Sequence, residues 1–180
     1  KSVFQVHGAD DQGQAVLRKK MRRGQVLPFF SKLSPCLVGL EACGSAHYWA
    51  REITALGHKV KLIPPQYVRP FVKTNKNDAS DAEAIAEALV RPTMRFATIK
   101  SAEQQSVLML HRVREMLVKQ RTMLINAIRG HCSELGFIAS LGASRVNDLI
   151  AIVEDPDDAR LPSIAREALS VLISQLHTIK

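Results

Sequence analysis

Apolar and polar positions alternate through residues 2 to 8 (SVFQVHG) and again through 14 to 21 (QAVLRKKM), on either side of ADDQG. That pattern predicts a β-hairpin. GQVLPFFSKL (24 to 33) predicts a short helix. CLVGLEAC (36 to 43) is an almost unbroken apolar run of strand length, as expected for a strand covered on both faces. GSAHYWAREITALG (44 to 57) predicts a helix with Ser45 as N-cap and Gly57 as stop; HKVKLIPP (58 to 65) then predicts a strand ended by its prolines. PQYVRPFV reads as a helical turn, and MRFATI (94 to 99) as a further strand. A hairpin followed by strand–helix–strand–helix units is a mixed α/β layout.

The pattern changes after residue 100. From Ser101 to Gly136 the only helix breaker before the end is Gly130, and Val107, Leu110, Val113, Leu117, Leu124, Ile128 and Leu135 recur at threes, fours and sevens. An uninterrupted helix there is roughly 50 Å long at about 1.5 Å per residue. A coiled-coil arm is expected, with its seam interrupted by Arg114, Gln120 and Arg121. The acidic link EDPDDARLP (154 to 162) follows, then a segment with Ile164, Leu169, Leu172, Ile173, Leu176 and Ile179 on one face. The chain is therefore read as an α/β domain over 1–100 and a helical arm over 101–180. It opens on Lys1 and reaches Lys180 without a stop signal, so it is expected to be part of a larger protein.

Between the two regions lies NKNDASDAEAIAEALV (75 to 90), a helix that begins with two aspartates three residues apart, behind a basic loop. Capping and the helix dipole account for Asp78. On a helical wheel Asp78, Asp81, Ala82, Ile85 and Leu89 share one stripe, with Glu83 and Glu87 opposite as solvated charges. Asp81 is thus aimed at the interior, where a carboxylate needs a cation, a donor or a metal. Glu41 is the only charge in its strand and stands at the carboxyl end, where open α/β sheets gather ligands. It is either half of an ion pair or part of a site. Together with Asp78 and Asp81 it supplies three carboxylates, the oxygen donors that hard Mg²⁺ or Mn²⁺ takes at a phosphoryl-transfer centre.

Charge narrows the class of partner. The net charge of +8 favours a polyanion, and five cations stand at 18–20 and 22–23. Arg18, Lys19 and Lys20 on the hairpin, and Arg69, Lys73 and Lys76 before the aspartate helix, are candidate nucleic-acid contacts; lysines guarding a sheet edge are the plainer alternative for the first group. Cys36, Cys43 and Cys132 include no CxxC pair and read as reduced cytoplasmic thiols. Cys43 and His47 are too few to make a zinc site, and no apolar run approaches a membrane span.

SVFQVHG, LVGLEACGSAHYWAREITALGHKVKLIPPQYVRPFVKTNKNDASDAEAIAEA and RPTMRFATIKSAEQQ together resemble the DEDD-type insertion-sequence transposases of the insertion-sequence-one-ten family, over nearly all of residues 1 to 136. The resemblance implies a ribonuclease H-like (RuvC-like) mixed sheet with flanking helices, and Mg²⁺ or Mn²⁺ held by four acids. Glu41 matches the family's glutamate, and Asp78 and Asp81 its final pair. The family's first aspartate lies on a strand before the segment that matches Lys1, and its serine nucleophile on a domain beyond Lys180; both are expected to be missing here. The implied function is divalent-metal-dependent cleavage and transfer of DNA strands in transposition, with DNA and a structured guide RNA as partners and self-association through the long helix. The implied setting is a bacterial cytoplasm, at the nucleoid. The alternative is a non-catalytic module for nucleic-acid binding and dimerisation.

Overall fold

The computed structural model describes residues 2–72, 78–140 and 142–179 and divides into two compact units, Lys1–Gln105 and Ser106–Lys180. In the first unit, β1 (Val3–Ala9) and β2 (Ala15–Arg22) form the expected antiparallel hairpin, with Phe4 opposite Met21 and Gln5 opposite Lys20. The Asp10 carboxylate closes the turn by accepting the N–H groups of Gln12 and Gln14 at 3.0 and 2.8 Å. A 3-10 turn leads into α1 (Val26–Phe30). Next come β3 (Leu37–Glu41), α2 (Ala46–Ala55) and β4 (Lys59–Ile63), a right-sized strand–helix–strand unit whose strands pair in parallel from Leu37 opposite Lys59 to Glu41 opposite Ile63. α3 (Pro65–Val68) and a 3-10 turn at Arg69–Phe71 precede α4 (Asp78–Leu89).

α2 buries Ala46, Trp49, Ala50 and Ile53, the i, i+3, i+4, i+7 stripe of an amphipathic helix, against Val38, Val60 and Leu62. Trp49 meets Phe4 edge to face at 4.9 Å, which ties the hairpin to the same core. Buried His58 fastens α1 to the parallel pair: its Nε2–H donates to the Phe30 carbonyl at 2.9 Å and its Nδ1 accepts the Cys36 N–H at 3.2 Å. α4 packs its alanines, Ala84 and Ala88, on Ile63 and Val68.

Four expectations change. Residues 94–99 do not form a strand; Ala97 makes a single antiparallel bridge to Leu62 on β4. β3 is not covered on both faces, since only Val38 is buried and Leu37 is 45% exposed. Ser45 does not cap α2 with its side chain; it takes a left-handed turn, φ 70°, while Gly57, φ +93°, ends the helix region as expected. Glu83 and Glu87 are half-buried and paired, Glu83 with Arg18 of the neighbouring hairpin at 3.8 Å and Glu87 with Arg91, one helical turn on, at 2.5 Å.

The second unit consists of α5 (Ala102–Glu134), which starts in the first unit, α6 (Val146–Glu154) and α7 (Ser163–Ile179). Ile128 and Cys132 of α5, Leu149 and Val153 of α6, and Leu169, Ile173 and Leu176 of α7 make its core. Ile164, expected on the buried face of α7, is 81% exposed because the buried stripe is Leu169, Ile173 and Leu176, from which residue 164 points away. The Arg166 guanidinium gathers the carbonyls of Ile152, Val153, Asp155 and Asp158, and so satisfies the C-terminal end of α6. No described helix is long and apolar enough to cross a membrane.

Candidate functional site

The two small sheets do not hydrogen-bond to each other among the described residues, and a cavity of about 1230 Å³ separates them. Every residue of β1 and of β3 borders this cavity, and none of β4 does. Successive residues of a strand point to opposite faces, so a cavity bordered by all of them runs along the strand's open edge. α2 contributes Ala46, Trp49 and Ile53 to one wall; α4 contributes Ala82, Ile85 and Leu89 to another. The indole N–H of Trp49 is buried and has no hydrogen-bond partner.

All three candidate acids border the same cavity. Glu41 ends β3 and is half-buried, where pairing with Ile63 and the Ala42 N–H bond to the Ile63 carbonyl (2.8 Å) fix its backbone. Asp78 and Asp81 lie in the first turn of α4, the former exposed and the latter half-buried. The wheel reading is realised in part: Asp81, Ala82, Ile85 and Leu89 border the cavity, but so do Glu83 and Glu87 from the side expected to be solvated, and the fully buried positions are Ala84 and Ala88. Among the described residues no three His, Cys, Asp or Glu side chains are grouped closely enough to hold a metal ion. The donor chemistry suits a hard divalent cation, and the acids border one cavity without forming a closed ligand set.

The candidate nucleic-acid residues stand apart from one another. Arg18 reaches Glu83, Lys19 places its ammonium 5.2 Å from the Phe29 ring centroid, and Lys20 is exposed on the other face of the hairpin. Arg69 is exposed in its 3-10 turn. Lys73 and Lys76 lie outside the described residues. His47 belongs to no metal site with Cys43, since its Nδ1 accepts the Lys100 N–H at 3.1 Å. Sequence reasoning missed this last cluster, because Lys100 is remote from α2 in the chain and tertiary contacts bring it there.

A family profile described as "Transposase", of the IS110-type DEDD kind, matches residues 1–136. A "Probable family 20 transposase" of Pseudomonas aeruginosa is 51% identical over 181 residues, spanning 100% of this chain and 54% of that protein. The "Transposase for insertion sequence element IS1328" of Yersinia enterocolitica is 41% identical, over 98% of this chain and 51% of its own length. The "Transposase for insertion sequence element IS1111A" of Coxiella burnetii is 39% identical, over 98% and 48%. The chain spans about half the length of these curated relatives.

Proposed function

The chain belongs to the IS110-type DEDD transposases, and from that premise we propose that its first unit is the metal-dependent catalytic part of a DNA transposase with a ribonuclease H-like sheet. The observation that carries the reading is the common cavity of Glu41, Asp78 and Asp81, brought together from elements far apart in sequence. These carboxylates hold Mg²⁺ or Mn²⁺. The cation, when bound, polarises the phosphodiester and activates the attacking hydroxyl or water. Glu41 and Asp81, half-buried, are held in place by β3 and by the first turn of α4. Arg18, Lys19, Lys20 and Arg69, with Lys73 and Lys76, bind the phosphate backbone and set its register without reading sequence.

The cavity takes a further strand. Adjacent strands lie about 4.8 Å apart, and one strand between the open edges of β1 and β3 joins the two pairs into a single five-stranded sheet. Such a strand offers a carbonyl to the partnerless Trp49 N–H, which otherwise costs about 1–3 kcal/mol. It also supplies the acid that completes the ligand set, matching the strand and aspartate that the family places before this segment. The first domain is then 1–100 without its first strand, and 101–180 a coiled-coil arm through which copies associate. DNA and a structured guide RNA are the nucleic-acid partners, in the bacterial cytoplasm.

The test is Asp81→Asn in a full-length protein containing this chain. Excision and strand transfer should vanish while DNA binding and the melting temperature hold; retained transfer overturns the reading. The open ligand set favours one alternative, a module that binds nucleic acid and dimerises without chemistry. Metal-independent, salt-sensitive DNA binding by the full-length protein, with no strand cleavage, is the result that alternative predicts.

A further inference from the structure

We propose that the solvent side of α2 carries a second nucleic-acid contact, a band of Arg23, Tyr48, Arg51 and Lys100 that holds a phosphodiester backbone. The inference rests on the reading above for the class of partner, and it concerns a surface on the opposite side of α2 from the acidic cavity. α2 turns Ala46, Trp49 and Ile53 to that cavity, which leaves Tyr48 and Arg51, one turn apart, on the outer face. Tyr48 is 38% exposed.

The cations of this band are held in position. The Arg51 Nη1–H donates to the Lys100 carbonyl at 2.8 Å, and the Lys100 N–H donates to His47 Nδ1 at 3.1 Å, so one residue's backbone is gripped from both sides. With Nδ1 accepting, neutral His47 carries its proton on Nε2, which leaves a donor beside the two cations. The Arg23 guanidinium lies 4.8 Å from the Trp49 ring centroid and 5.7 Å from that of Tyr48, cation–π contacts that hold it beside the exposed Tyr48 ring. Among the described residues none of Arg23, Arg51 and Lys100 forms an ion pair, whereas Arg18 on the hairpin already faces Glu83.

The electrostatics agree with this geometry. The His47 pKa is lowered, first by burial and then by the charges of Lys100 and Arg51. Two acids temper the band: Glu52 on α2 itself, and Glu103 in the first turn of α5, whose pKa is lowered chiefly by a Ser101 hydrogen bond and, less, by Arg51. Three cations against two acids leave a small net charge, so prearranged donors and an exposed aromatic ring, and not bulk potential, make the contact. A polyanion bound there offsets the part of this lowering that comes from Lys100 and Arg51.

The full chain, a labelled DNA duplex of about 20 base pairs and a poly-glutamate peptide supply the test. Binding of the duplex should raise the His47 pKa, followed by NMR of its imidazole. Lys100→Ala keeps both backbone hydrogen bonds; it should raise the His47 pKa in the free protein, weaken duplex binding about tenfold and reduce the log–log salt slope by about one. Arg23→Ala should weaken binding similarly without moving the free His47 pKa. The proposal is overturned if the duplex leaves His47 unmoved and Lys100→Ala binds as tightly with the same slope. If an Arg18→Glu/Lys20→Glu variant then loses the duplex, the hairpin alone binds DNA and the transposase reading stands. Poly-glutamate shifting His47 where the duplex does not makes the band a site for an acidic protein and overturns the proposal. No duplex binding at all removes this proposal and the DNA-binding part of the reading before it.

Discussion

Gly39 sits where α4 crosses β3: a Cβ there would lie 3.0 Å from Ile85 Cγ2 and 3.0 Å from Leu89 Cδ2. The close approach of α4 to β3 therefore depends on the absence of one side chain. Gly39→Val should cost about 1–3 kcal/mol through overpacking, read as a lower denaturation midpoint; an unchanged midpoint would mean that α4 does not rest on β3. The sequence displayed Gly39 only as an interruption in an apolar run, with nothing to mark it as a contact point. Glu41 and Asp81 stood out in the sequence for a physical reason. Each is a charge on an otherwise apolar face, and such a charge needs a purpose. His47 was not legible, because its partner Lys100 is set by tertiary structure.

The elements followed from periodicity where periodicity was long. The hairpin, α2, β4, α4 and the 33-residue α5 stand where alternation or the 3.6 repeat placed them. α6 was missed although Val146, Leu149, Ile150 and Val153 carry a clear i, i+3, i+4, i+7 stripe. Its nine residues follow a glycine-containing stretch that reads as linker, and that context outweighed a short helical signal. The strand expected at 94–99 shrank to one bridge because only the Ala97 N–H pairs with β4, to the Leu62 carbonyl at 2.8 Å. On α5 the apolar seam is present but uncovered within the chain: Leu110 is 71% exposed, Val113 42% and Leu117 38%. We propose that this row docks a second helix, since exposed apolar rows of this kind mark interaction surfaces. A Leu110→Glu/Leu117→Glu variant should shift sedimentation from oligomer to monomer with no loss of helicity; a chain that is monomeric before substitution would remove the arm as an assembly element.

At the scale of the whole molecule, the sequence showed an α/β class and a following helical region, and the structure has both. What it did not show is that the α/β unit consists of two strand pairs facing each other across about 1230 Å³. Pairing between strands distant in sequence leaves no local pattern, so an open edge cannot be read from the residues that border it. In the function proposed above, that space is where the acids of β3 and α4 would meet a cation. The measurement that tests this most directly is anomalous diffraction from crystals of the chain grown with Mn²⁺. The account predicts a peak with carboxylate oxygens of Glu41, Asp78 and Asp81 about 2.0–2.6 Å away, lost in Asp81→Asn crystals of unchanged fold. Mn²⁺ bound elsewhere, or the three carboxylates each engaged by a neighbouring cation or amide with no peak among them, would contradict it.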